Sequence, residues 1–130
     1  MNKKNINTTK APNPIGEYPH AKKVGDFLFL SGIGSRNASD NSIPDNFKDE
    51  CHSVFKNIRT ILEEADAKWG NLVDVTVFLT NMEKDFDTFN SLYKDYFKDI
   101  SPSRTTIEVK SLPTPISIEL KCIAYIGTKK

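Results

Sequence analysis

The stretch SPSRTTIEVKSLPTPISIELK, residues 101–121, carries the side chains best suited to chemistry. Arg104 offers a planar fork of donors that matches a carboxylate with two parallel hydrogen bonds. Glu119 is a carboxylate that could take a proton from water and later return it. Both lie in strand-like sequence. Arg104, Thr106 and Glu108 alternate with Thr105, Ile107 and Val109, and Ile116, Ile118, Leu120 and Cys122 alternate with Ser117, Glu119 and Lys121. Period two sends successive side chains to opposite faces of a sheet.

If these strands pair antiparallel across the proline-punctuated turn, register decides which side chains meet. An odd register sum unites Ile107 and Val109 with Ile116, Ile118 and Leu120 on one apolar face. The register nearest the turn pairs Val109 with Ile116, Ile107 with Ile118 and Thr106 with Glu119. Arg104, Thr106, Glu108, Ser117 and Glu119 are then expected on the opposite face, a guanidinium converging with hydroxyls and a carboxylate. Taken alone, such a pair also describes a structural ion pair.

The remaining chain must position this motif. Residues 1–13 are polar and rich in lysine and asparagine, and read as a flexible arm before a single domain over residues 14–130. Pro12 and Pro14 keep the next residues extended. A strand is expected to begin between Tyr18 and Lys23, and Val24-Gly25-Asp26 reads as a turn. Phe27-Leu28-Phe29-Leu30 is a continuous apolar run, consistent with a strand buried on both faces and ending at Ser31-Gly32. A polar loop from Ile33 to Pro44 precedes a helix whose apolar stripe is Phe47, Cys51, Val54, Phe55, Ile58, Ile61, Leu62 and Ala65. Asp45 or Asn46 can cap it.

Leu72 to Thr80 alternates as a strand, with Val73, Val75, Val77 and Leu79 on one side. A second helix is expected from about Asp85, with Phe86, Phe89, Tyr93, Tyr96 and Phe97 as its core face. Pro102 prevents it from running into the motif. The final strand extends from Ile116 to about Ile126, before a short basic tail. The order β-β-α-β-α-β-β, with one apolar stripe per helix, predicts an α+β fold with both helices on one face of a mixed sheet. The other face would keep Phe78, Ile123 and Tyr125, so self-association is expected to cover it.

Composition bounds the function class. Eighteen basic against seventeen acidic residues leave a net charge of +1, which offers no electrostatic footprint for nucleic acid. No apolar run reaches membrane-spanning length, and the N-terminus lacks the apolar region of a secretory signal, so a cytoplasmic protein is expected. Cys51 and Cys122 lie outside any CxxC pattern and read as buried thiols. His20 and His52 stand alone, so no metal site is expected, and His20 reads as a surface or edge residue.

Several segments carry a family likeness: ProIleGlyGluTyr at 14–18, PheLeuPheLeuSerGly at 27–32, AsnIleArgThrIleLeu at 57–62, ValThrValPheLeuThrAsnMet at 75–82, PheAsnSerLeuTyr at 89–93, ProSerArgThrThrIleGluVal at 102–109, LeuPro at 112–113 and IleGluLeuLysCysIleAla at 118–124. In this order they resemble the Rid family of reactive-intermediate deaminases, also called the YjgF family. The resemblance implies a chorismate-mutase-like domain that assembles as a homotrimer with active sites between subunits. It implies cofactor-free hydrolysis of enamines and imines, 2-imino acids to 2-keto acids and ammonia, on a small carboxylate-bearing substrate.

By the same resemblance Arg104 grips the substrate carboxylate and Glu119 orients the attacking water. Tyr18, Ser31 and Asn90 line the cleft, and Gly32 and Thr106 contact substrate. Thr106 stands where many imine deaminases carry cysteine. Tyr18-Pro19-His20, the run from Ser31 to Arg36, and Arg104-Thr105-Thr106 look closer to the 2-aminomuconate deaminase branch. Arg36 would then meet a second carboxylate. The alternative function is a non-catalytic carboxylate-binding or regulatory protein that uses the same cleft.

Overall fold

A computed structural model describes residues 2–127; the basic tail lies outside them. Seven strands and two helices follow in the order β1 (Lys3–Ile6), β2 (Ala21–Val24), β3 (Phe27–Leu30), β4 (Ile33–Gly34), α1 (Phe47–Glu64), β5 (Leu72–Leu79), α2 (Met82–Phe97), β6 (Ser103–Glu108) and β7 (Ile118–Tyr125). They form one mixed sheet in the order β1-β2-β3-β7-β5-β6, with the short β4 also pairing β7.

The motif strands are not neighbours. β5 lies between them, parallel to β6 and antiparallel to β7. The expected hairpin register, with Thr106 opposite Glu119, is therefore overturned. Val77 faces Thr106 on one side and Leu120 on the other, while Phe78 faces Ile107 and Glu119. The β5-α2-β6 crossover returns the chain parallel to β5 and leaves β6 as an edge strand, whereas β7 takes a central place paired on both edges, with β5 on one side and β3 and β4 on the other.

The two faces have different fates. Ile118, Leu120, Cys122 and Ala124 of β7 are buried with Val75, Val77 and Leu79 of β5. They form one core with Val54, Phe55, Ile58, Ile61 and Leu62 of α1 and Phe89, Tyr93 and Phe97 of α2. Rings of Phe55 and Tyr96 lie 4.3 Å apart between centroids, and those of Tyr93 and Phe97 stack at 4.0 Å. The opposite face leaves Phe27, Phe29, Val73, Ile107 and Tyr125 exposed. The two helices therefore cover one side only, as their single apolar stripes require.

Three local expectations change. β3 is not buried on both faces: Leu28 and Leu30 are buried, whereas Phe27 and Phe29 are not. A register shift between Leu72 and Asp74 bulges Val73 outward and turns Leu72 into the core, interrupting the alternation read from sequence. The polar arm is instead structured: β1 pairs β2, and Ile6 and Ala11 are buried.

His20 secures that N-terminal segment. Thr8 N–H donates to its Nδ1 at 3.2 Å, and Nε2 lies 2.7 Å from the Pro12 carbonyl oxygen. An acceptor at Nδ1 and a donor at Nε2 define the neutral Nε2–H tautomer. The histidine is buried, not at the surface, because both ring nitrogens are satisfied by backbone.

Asn46 and Asn81 cap the two helices by accepting the Asp49 and Lys84 N–H groups. Glu108 adds a second anchor to α2 by accepting Met82 N–H at 2.9 Å, tying the helix start to the end of β6. Asn81→Ala is expected to lower stability by about 1 kcal/mol, with Asn81→Asp close to neutral. Urea unfolding of the three proteins checks this.

Candidate functional site

The structure divides the sequence-predicted residues into two groups. Arg104, Thr106 and Asn90 belong to the first. Arg104 pairs with Val75, which pairs with Cys122, so all three side chains leave the sheet on the helix-covered face. There α2 lies above β6. Arg104 Nη1 donates to Asn90 Oδ1 at 2.8 Å. Its guanidinium carbon lies 4.7 Å from the Tyr93 ring centroid and 5.4 Å from that of Phe89.

An aromatic floor holds such a cation without neutralising it. With one nitrogen committed to Asn90, further N–H groups remain for a planar anion. Thr106, two residues on and on the same face, has a buried hydroxyl with no hydrogen-bond partner among the described residues. Tyr93 Oη shares that condition, and burial pushes its phenol up to about 12, with Arg104 acting in the opposite direction. This neighbourhood is thus cationic, aromatic and short of acceptors.

The second group is Tyr18, Ser31, Gly32, Arg36 and Glu119. Glu119 pairs with Phe78 and, on its other side, with Gly34. It leaves the sheet on the face opposite Arg104. Tyr18, Gly32, Arg36 and Glu119 line one cleft with Pro113 and Ile116. Ser31 joins Tyr18, Gly32 and Arg36 around an adjoining cleft walled by Pro12 and His20.

Local geometry assigns much of this group to shaping the walls. Ser31 Oγ donates to the Pro19 carbonyl at 2.7 Å. Tyr18 is exposed and its hydroxyl accepts Ile15 N–H at 3.3 Å. Arg36 donates from Nη1 to Asn41 Oδ1 and from Nη2 to the Asn13 carbonyl, bridging two loops.

Gly32 explains how Glu119 is seated. A Cβ at this position would lie 2.6 Å from Glu119 Oε2 and 2.9 Å from its Cδ. The carboxylate therefore rests against bare backbone. Burial alone pushes its pKa above the ordinary carboxylate value of 4.5. A carboxylate so raised is a better proton acceptor than an exposed one.

Sequence reasoning missed the aromatic floor as part of the Arg104 group, because Phe89 and Tyr93 read simply as core. It also missed Glu50 and Asn57, which are buried on α1 beside the apolar stripe. Their polar identity at flank positions was the only trace in the sequence. Among the described residues no group of three or more His, Cys, Asp or Glu could hold a metal. Cys51 and Cys122 are free and buried, and burial pushes both thiols up to about 12. No helix is long and apolar enough to cross a membrane.

Gly32→Ala is expected to displace the Glu119 carboxylate while the melting temperature stays within about 4 °C of the parent, a change of roughly 1 kcal/mol. A crystal structure of the variant and a thermal melt check both halves.

Known proteins share this fold. A family model described as Endoribonuclease L-PSP matches residues 8–126. A RutC family protein of Aquifex aeolicus is 42% identical over 121 residues, covering 92% of this chain and 96% of the relative. A mouse protein named 2-iminobutanoate/2-iminopropanoate deaminase is 36% identical over 126 residues, covering 96% and 93%. The crystal structure of E. coli TdcF with bound serine superposes with a TM-score of 0.88 at 30% identity, covering 94% of this chain and 98% of that one. The chain belongs to the Rid family, the YjgF or L-PSP proteins.

Proposed function

We propose that this protein is a cofactor-free hydrolytic deaminase of 2-imino acids, acting as a homotrimer whose clefts join the Glu119 group of one subunit to the Arg104 group of the next. One observation carries the reading. Arg104 and Glu119 leave the sheet on opposite faces, so one chain cannot bring them together. The exposed apolar face bearing Phe27, Phe29, Ile107 and Tyr125 supplies the surface on which copies associate. Relatives named as 2-iminobutanoate/2-iminopropanoate deaminases support the substrate class.

The chemistry follows from the groups. Arg104 binds the substrate carboxylate and fixes the adjacent C=N carbon. Glu119 accepts a proton as water oxygen bonds to that carbon, forming a tetrahedral carbinolamine. That proton passes to nitrogen to complete the amino group. Glu119 then takes the carbinolamine hydroxyl proton and delivers it to nitrogen as the C=O bond forms and the C–N bond breaks, releasing ammonia and a 2-keto acid. Imines are already electrophilic, so positioning water and substrate supplies much of the acceleration.

Arg36 bears on the finer choice of substrate. A dicarboxylic enamine such as 2-aminomuconate would set its second carboxylate against Arg36 in the Glu119 cleft. Two Arg36 nitrogens already donate to Asn41 and Asn13, which favours small monocarboxylic imines.

Two experiments test the proposal. Arg104→Ala and Glu119→Gln should each abolish acceleration of 2-keto acid release from a threonine dehydratase reaction. Refolding them together should restore about a quarter of wild-type activity, the fraction of neighbouring pairs with both residues intact. No recovery would place the couple within one chain. Recovery of ligand binding without turnover would indicate the non-catalytic alternative.

Glu119 must be ionised to act as base, and its burial raises its pKa. Activity should therefore fall as pH drops, with the acid limb of kcat/KM inflecting above 4.5, the ordinary value. A limb at or below that value would remove Glu119 from the base role.

A further inference from the structure

We infer that Glu50 and Asn57, two buried polar residues on α1, are positioning residues for Glu119, holding in place the two backbone segments between which it sits. They lie two helical turns apart on a row with Val54 and Ile61, and they are 5% and 3% exposed. Everything else on that row packs into the apolar core.

Among the described residues, their four side-chain hydrogen bonds go to the two backbone segments that flank Glu119, at Ser117 and at Gly34, Ser35 and Arg36. Glu50 Oε1 accepts Ser117 N–H at 2.8 Å and Ser35 Oγ–H at 2.7 Å. Ser117 stands two residues before Glu119, at the entry to β7. Ser35 follows Gly34, the residue paired with Glu119 across β4 and β7. Asn57 Nδ2 donates to the carbonyls of Gly34 and Arg36, at 3.0 and 2.9 Å, on either side of Ser35. One helix face therefore ties down the entry to β7 and the segment following β4, the two pieces of backbone that meet at the Glu119–Gly34 pair.

Stability alone does not select these residues. Among the described residues, the Glu50 carboxylate is bonded by a hydroxyl and a backbone N–H, not by a cation, and a buried carboxylate costs several kcal/mol unless well compensated. Asp85 of α2, itself 5% exposed, has its carboxyl pushed up by its own burial, an effect that Lys84 opposes and nearby Glu50 reinforces. What the geometry uses is an acceptor at Oε1. Glutamine offers the same acceptor without the charge, and leucine offers the volume without the acceptor.

The kinetic consequence rests on the deaminase reading; the positional claim does not. The test compares wild type, Glu50→Gln and Glu50→Leu as assembled proteins. Hydrolysis of 2-iminobutanoate gives kcat and KM, and carbon-13 NMR of labelled glutamate follows the titration of Glu119. Glu50→Leu should lower kcat roughly tenfold or more, with KM changed less than about threefold, because Arg104 is untouched. Its Glu119 titration should move from the wild-type position, while Glu50→Gln should match wild type in both readouts.

A folded Glu50→Leu protein with wild-type kcat and titration overturns the inference, as does a Glu50→Gln protein as impaired as Glu50→Leu. If Glu50→Leu fails to fold, Ser35→Ala removes one of the same bonds and should shift the Glu119 titration in the same direction. An unchanged titration there also overturns it. If wild type hydrolyses no imino acid, the deaminase reading fails and the NMR comparison alone decides the positional claim.

Discussion

Insertion of β5 between β6 and β7 is the constraint on which the rest of this structure depends. Its backbone bonds to both motif strands at once, parallel on one side and antiparallel on the other. Since paired residues share a face, the register along β5 decides the direction of every side chain on its neighbours. Val75 and Val77 carry Arg104 and Thr106 towards the helices, and Phe78 carries Glu119 away from them. The separation of cation and carboxylate is thus a property of the hydrogen-bond ladder, not of side-chain rotamers.

The same ladder divides the apolar surface. Residues aligned with Val75 and Val77 meet the aromatic cluster of α1 and α2, which supplies both the core and the rings beneath Arg104. Residues aligned with Phe78 form a second apolar surface that the chain itself leaves uncovered. The two chemical groups lie on opposite sides of one sheet, each beside a different apolar layer. A site of this kind inherits its precision from the packing of whole elements rather than from one loop.

Much of this was legible in the sequence. The α1 stripe, the aromatic face of α2 and the alternation along β5 each follow one dominant period, and those elements form where the pattern places them. Arg104 and Asn90 meet, as do Tyr18, Gly32 and Glu119. Strand pairing was not legible. Two alternating segments joined by a proline-rich turn satisfy the hairpin pattern equally well, and the strands that β7 pairs with instead, β3, β4 and β5, are distant in sequence. The Val73 bulge and β1 were hidden for a related reason: each depends on partners distant in sequence. His20 and Asn57 illustrate the remaining limit, since a buried polar side chain is specified by backbone groups that no local pattern reveals.

The contact between Gly32 and Glu119 has a consequence for how such a chain can be altered. Replacing glycine by alanine at a site whose backbone any residue can adopt is a common route to a more stable protein, because it restricts the unfolded chain. Here the added methyl would claim the volume reserved for a carboxylate. Position 32 therefore sets thermostability against proton transfer: the flexibility that glycine lends to the unfolded chain is the counterpart of the room it leaves for an acid.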